Sequence, residues 1–342
     1  MNKIYTALVL GAMPLLWSAC TFHQTPEGLG NDPTDVDVQA TVNLSISLPD
    51  ADAANTDMIP AITDDYSHRF VVEATLPDGT TVDRQEFLAP VEDGKTDYML
   101  PVKMSLHARQ YKFMVWSDYV LTTPVEGEED KAAVYNPAKL TPVMPAYAAY
   151  PVGNERKDCF RACVDLDLRP YANQWAAEME LDVELARPVG RYEIVTTDLG
   201  AFRQRILDGQ ISGNEFKVRI RYSSYLATGY NVLENVPKNY LSYMSFNQTV
   251  KASDWQNADK ASMRLCFDYL LCNAGDEVTE IPVEIEIINE NDVQVARSFV
   301  NIPVKQGYNT VVSGRFMTSS DEGGVTINPD YDGTIDINIG QL

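Results

Sequence analysis

The stretch VDVQATVNLSISL (36–48) puts Val36, Val38, Ala40, Val42, Leu44, Ile46 and Leu48 on one parity and mostly polar side chains on the other. Alternation of period two over that length fits a β-strand with one buried face, because successive side chains of a strand point to opposite sides. The pattern returns at HRFVVEATL (68–76), QYKFMVWSDYV (110–120), MELDVEL (179–185), RYEIVTT (191–197), EFKVRIRYS (215–223), VEIEIIN (283–289), ARSFVNIPV (296–304) and GTIDINI (333–339). Between many of these runs lie the turn sequences LPDGT (76–80), EDGK (92–95), NEND (289–292) and YDGT (331–334). Asn, Asp and Gly tolerate the backbone angles that hairpin corners need. Many short strands joined by turns predict an all-β chain of antiparallel β-sandwiches and argue against α/β winding.

A few short helices are compatible with this pattern, and one is predicted at TTDLGAFRQRILDG (196–209). Thr197 or Asp198 can cap it, Leu199, Phe202 and Ile206 share one face, and Gly209 can end it. A chain of 342 residues has room for about two domains of ordinary size. Pro188 in ARPVG (186–190) interrupts two strand patterns, so the expected division is an N-terminal sandwich at 36–188 and a C-terminal one at 189–342.

The first residues have a different logic. Lys3 gives a short positive region, Ile4 to Trp17 is an apolar run too short to span a bilayer, and Ser18 and Ala19 are small residues placed directly before Cys20. This layout resembles a bacterial lipoprotein signal, with Trp17 a departure where an aliphatic residue is usual. The reading is a signal peptide at 1–19 and a cysteine, Cys20, that is acylated and becomes the mature N-terminus. Several acyl chains hold a protein on a membrane far better than one. The segment 21–35, TFHQTPEGLGNDPTD, holds two Pro and two Gly with no apolar periodicity, so 20–35 reads as a lipidated flexible tether.

A net charge of −22, from 49 acidic and 27 basic side chains, repels phosphate backbones and anionic head groups. Nucleic acid is therefore not an expected partner, and contact with a lipid bilayer has to come through Cys20. Chemistry-bearing motifs are sparse. His23 falls in the tether, His68 and His107 abut predicted strands, and there is no G-x-S-x-G or Gly-rich phosphate loop. No catalytic residue, cofactor or metal is expected. Cys159 and Cys163 in CFRAC, with Cys266 and Cys272 in CFDYLLC, have the wrong spacing for common zinc knuckles. They are either buried free thiols or two disulfides. If CFDYLLC is one straight strand, Cys266 and Cys272 are about 20 Å apart at ~3.3 Å per residue and cannot bridge each other. Asn328, Asp330 and Asp332 in NPDYDGTID resemble the start of a calcium loop, but its twelfth position is Ile339, which favours a hairpin turn. The 18 tyrosines, several in SSYLATGYNV and KNYLSYMSF, suit strands and cores and could also stack on sugars.

The segments YKFMVWSDYV (111–120), RPVGRYEIVTTDLGAF (187–202), RYSSYLATGYNVLENVP (221–237), NIPVKQGYNTVVSGRFMT (301–318) and VTINPDYDGTIDINI (325–339) occur in that order behind the lipoprotein-type signal. The ordered set resembles the fimbrillin-like lipoproteins of Bacteroidales, especially the minor fimbrial anchor type, over most of the mature chain. The acidic Glu27, Asp32 and Asp35 after Cys20 are similar to the surface-export signals of such lipoproteins. The resemblance implies two β-sandwiches of transthyretin-like topology and a lipid-anchored place at the bacterial outer membrane, facing outward. It also implies fimbrillin-like shaft subunits as partners, joined when a strand of one protein completes a sheet of another. The expected function is that of a non-enzymatic fimbrial anchor or accessory subunit. VDVQATVNLSISL or GTIDINIGQL (333–342) could serve as acceptor edge or donor strand. The alternative is a surface glycan-binding lipoprotein, for which a shared exposed line of Trp116, Trp175 and Trp255 would be the mark.

Overall fold

The computed structural model describes residues 34–44, 65–92, 97–123, 126, 132–148, 150–275, 277–319 and 334–338. Cys20, residues 21–33 of the tether and the Asn328–Asp332 segment lie outside these residues. The first half holds β1 (Val36–Leu44), β2 (Tyr66–Thr75), β3 (Thr81–Pro90), β4 (Asp97–Met99), β5 (Met104–Leu106), β6 (Gln110–Leu121), β7 (Tyr135–Asn136), β8 (Met144–Pro145), β9 (Phe160–Asp167) and β10 (Ala177–Leu185). One sheet has the order β10-β1-β4, with β5 also on β1; the other is β3-β2-β6-β9. The alternation of β1 does what it predicts, since Val36, Val38 and Val42 are fully buried while Asp37 and Gln39 are exposed. Phe70 and Val72 of β2 and Phe113 and Val115 of β6 share the core that these valines fill.

The second half holds β11 (Val189–Thr196), α1 (Leu199–Leu207), β12 (Phe216–Tyr222), β13 (Leu226–Asn231), β14 (Val236–Leu241), β15 (Ser245–Val250), α2 (Ala252–Trp255), β16 (Met263–Leu271), β17 (Thr279–Asn289), β18 (Gln294–Val304), β19 (Asn309–Gly314) and β20 (Thr334–Asn338). Its sheets are β16-β11-β19-β20 and β15-β12-β17-β18. Tyr192, Ile194, Phe216, Val218, Ile285 and Val312 are among the residues that fill the core between them. The chain is all-β, as the period-two pattern predicts. Most pairings are antiparallel, but β1/β10, β11/β19 and β19/β20 are parallel. A parallel partner comes from far along the chain, so a local pattern carries no sign of it.

Turn chemistry behaves as expected where it is described. Gly79 has φ +88, its N–H reaches the Leu76 carbonyl, and the Asp78 carboxylate accepts from Thr80 N at 2.9 Å. At β17–β18, Asn289 Oδ1 accepts from the backbone of both Asn291 and Val293, and Asp292 takes φ +57. α1 forms as predicted, with Leu199 and Phe202 buried and Ile206 packed against the core. It ends at a Gly209 of φ +70.

A third apolar cluster joins the halves. Val71, Met114, Trp116, Tyr135, Val143 and Cys159 pack with Val189, Ala227, Tyr230, Val232 and Leu271. Trp116 meets Tyr135 edge-on at 5.2 Å between ring centroids. Val143 and Tyr230 exchange two backbone hydrogen bonds at 2.8 and 2.9 Å, and Arg161 Nη2 donates to the Val232 carbonyl at 2.7 Å. Gly229 permits this approach, because a Cβ there would sit 2.6 Å from the Val143 carbonyl oxygen.

Candidate interaction surface

An exposed sheet edge can bind another chain because its N–H and C=O groups lack a neighbour. Of the two terminal strands expected to be available, β1 is not an edge: β10 runs along one side and β4 and β5 along the other. Among the described residues β20 is the last strand of its sheet and pairs with β19 alone, in parallel, from Thr334 on Asn309 to Asn338 on Ser313. In sequence, Ile335 and Ile337 share a parity and flank a single charge, Asp336. Edge strand β3, by contrast, has Asp83, Arg84 and Glu86 along it, the usual protection against unwanted pairing.

The three tryptophans expected to mark a glycan platform do not come together. Trp116 is fully buried at the junction, Trp255 is 4% exposed in the C-terminal core against Phe202 and Phe216, and Trp175 alone is 70% exposed. The exposed aromatic side chains that do share a locality are tyrosines. At the base of the β13–β14 hairpin, where Leu226 pairs with Leu241, Tyr225 precedes the first strand and Tyr243 follows the second by two residues, and Tyr240 lies opposite Ala227. Tyr243 is 94% exposed and sits at φ +58. Their spacing in sequence, 15 and 3 residues, is not periodic; only the hairpin register groups them.

His107 and His68 are structural. His107 Nδ1 lies 2.6 Å from Asp35 Oδ1, both side chains buried, where the chain enters β1. His68 is enclosed by Phe70, Tyr98 and Tyr119, with centroids 5.9, 5.2 and 4.6 Å away, and its Nδ1 has no hydrogen-bond partner. Burial lowers its pKa to about 4. The four described cysteines are free thiols: Cys159, Cys266 and Cys272 are buried and Cys163 is half-buried. Burial raises the Cys272 thiol to about 12, so it is inert as a nucleophile. Among the described residues no group of three His, Cys, Asp or Glu side chains is placed to hold a metal.

Sequence reading missed a buried ionic cluster. Glu193 on β11 is gripped by Arg191 and by Arg264 Nη1 at 3.0 Å, and accepts from Asn309 Nδ2 at 3.3 Å. Arg191 also lies over the Phe267 and Tyr269 rings at 5.3 and 5.8 Å. Nearby Glu155 is raised to about 7, with burial the main cause and Arg191 and Arg264 opposing it. The signal for such a cluster would have been three charges on strands whose two faces are both buried.

His68 and Glu155 give stability opposite pH slopes. As pH falls from 6.5 toward about 4, the unfolded chain protonates at His68 and the folded chain does not, which costs on the order of 3 kcal/mol. As pH rises from 4.5 to about 7, the unfolded chain loses the Glu155 proton that the folded chain keeps, so stability is lost in that direction. Melting temperature against pH is therefore expected to tilt down toward acid in Glu155→Gln and down toward neutral pH in His68→Phe. Parallel profiles for the two variants would refute the assignment.

Residues 33–340 match the family of unknown function DUF6562, and the chain belongs to that family. No curated protein matches it. Among solved structures it is similar to a Bacteroides ovatus protein assigned as an adhesin, at 9% identity over 91% of this chain and 94% of that one, TM-score 0.41. It is also similar to a Bacteroides thetaiotaomicron protein assigned to polysaccharide binding, at 10% identity over 77% and 79%, TM-score 0.41. A third is the fimbrial anchor protein Mfa2 from Porphyromonas gingivalis, at 10% identity over 76% and 81%, TM-score 0.38. At such identities and scores no function passes from these proteins to this chain.

Proposed function

We propose that the protein is a non-enzymatic subunit anchored to the bacterial outer membrane through acylated Cys20, facing outward, and that it serves a fimbria as an anchor or accessory subunit. It engages its partner, a fimbrillin-like shaft chain, along the sheet edge at β20. The observation that carries the pairing is that, among the described residues, β20 has a neighbour on one side only, at the edge of a sheet whose next strand, β19, is central. The lipoprotein-type layout before Cys20, the 20–35 tether and the ordered fimbrillin-like segments support the location and the fimbrial role.

Glycan binding is the second reading, favoured by Tyr225, Tyr240 and Tyr243 around one hairpin. Deletion of 333–342 separates the two. The edge reading expects a chain that keeps its circular dichroism spectrum and loses capture of the shaft subunit. Capture at unchanged strength by the truncated chain would remove β20 as the docking strand. Loss of polysaccharide retention in Tyr225→Ala/Tyr243→Ala, with subunit capture intact, would favour the glycan reading.

A further inference from the structure

One ion pair has an environment unlike the others. Lys157, at the end of a single 3-10 turn (Glu155–Lys157) in the first half, reaches Asp268 on β16 in the second half, with Nζ 2.8 Å from Oδ1. The two side chains are 1% and 0% exposed. The Tyr150 ring lies beneath Nζ at 5.2 Å to its centroid, and Tyr135 holds the Lys157 carbonyl at 2.8 Å. Both carboxylate oxygens of Asp268 have further donors. The backbone N–H of Tyr269 donates to Oδ1 at 2.9 Å, and the Tyr222 hydroxyl donates to Oδ2 at 2.7 Å while it contacts Tyr192 Oη at 2.6 Å.

We propose that Lys157 and Asp268 condense to a side-chain amide, an intramolecular isopeptide bond that ties the two sandwiches together at their junction. The geometry supplies what the reaction needs: a nucleophile against the carboxyl group, a donor for the oxygen that takes charge, a donor for the oxygen that departs, and exclusion of bulk water. One proton passes from Nζ to Oδ1, its 2.8 Å partner, which turns the ion pair into an amine and a carboxylic acid. The Nζ lone pair then attacks Cγ and the C–N bond forms. Oδ2 takes the negative charge against the Tyr222 hydroxyl. Nζ gives up a second proton to Oδ1, the Cγ–Oδ1 bond breaks with the Tyr269 N–H hydrogen-bonded to the departing oxygen, and one water leaves. The ammonium contributes two hydrogens and the carboxylate one oxygen to that water. No oxidant or other reagent is consumed.

Burial lowers the Lys157 pKa, which favours the amine form that attacks. Two charges that are costly to keep in an apolar junction are also removed by the condensation. The bond would join positions 111 residues apart and span the third apolar cluster, so the junction could not open when the chain is pulled from its two ends.

Mass spectrometry of the denatured full chain tests this directly, with Lys157→Arg as the comparison because it keeps the positive charge and loses the nucleophile. The expected result is a wild-type chain lighter than its sequence by one water molecule, with a branched peptide joining Lys157 to Asp268 after digestion, and a Lys157→Arg chain at its full sequence mass. Wild-type peptides that contain Lys157 and Asp268 separately and unmodified would overturn the proposal and leave the pair as a salt bridge.

Discussion

Replacement of Glu193 by Gln is expected to cost about 3–5 kcal/mol, enough to unfold a domain of ordinary stability. The substitution keeps the shape of the side chain and deletes its charge, so the loss reports electrostatics and not a cavity. Glu193 is 1% exposed and is the counter-charge to both Arg191 and Arg264, which are themselves buried. Without it, two buried guanidinium groups lose the carboxylate they share, and burial favours the protonated, neutral form of the neighbouring Glu155. A chemical denaturation midpoint measured against the wild type checks this. A loss below about 1 kcal/mol would mean that the arginines reach water or another anion in solution.

The second large effect is expected at Asp198. Its side chain does not cap α1. It accepts instead from the Thr196 hydroxyl, from Thr318 N at 2.8 Å and Thr318 Oγ1 at 2.6 Å, and from Met317 N at 3.3 Å. Asp198→Ala leaves these buried donors without an acceptor, a loss of about 3 kcal/mol. The donors at 317 and 318 lie directly after β19, on the only path the chain can take toward β20. Hydrogen exchange is therefore expected to accelerate first along β19 and β20 and less along β12. Uniform acceleration over the whole chain would show that Asp198 serves global stability and not the C-terminal edge.

Asp198 also illustrates where the sequence is readable and where it is not. A short polar residue before an amphipathic run predicts a helix start, and α1 does start there. That the carboxylate turns away to hold a segment 120 residues later is a tertiary fact with no local trace. The same division holds for strands. β1 and β12 stand out by alternation because they present one face to a core and the other to a less crowded layer, whereas β6 and β17 are buried along most of their length on both faces. β13 and nearly all of β16 are buried on both faces, so LATGYN and MRLCFDYLL carry no period of two. Charges such as Arg191, Glu193 and Arg264 even mimic a solvated face until the ionic cluster is seen.

The candidate site was legible only in part. GTIDINIGQL could be picked out as a terminal strand with alternating apolar residues, but only the sheet order separates β20 from β1, which has neighbours on both sides. Tyrosines could be counted and not placed: Tyr230 and Tyr222 of the same segments are buried, while Tyr225 and Tyr243 face solvent.

The most direct test of the fimbrial role is capture of the tagged, lipid-bearing protein from its own cells in mild detergent, read by mass spectrometry beside Cys20→Ala and the 333–342 deletion. The account predicts a fimbrillin-like shaft subunit bound to the full chain, shaft material shed into the medium with Cys20→Ala, and no shaft subunit on the truncated chain. Retention of polysaccharide with no shaft subunit on any of the three would contradict it.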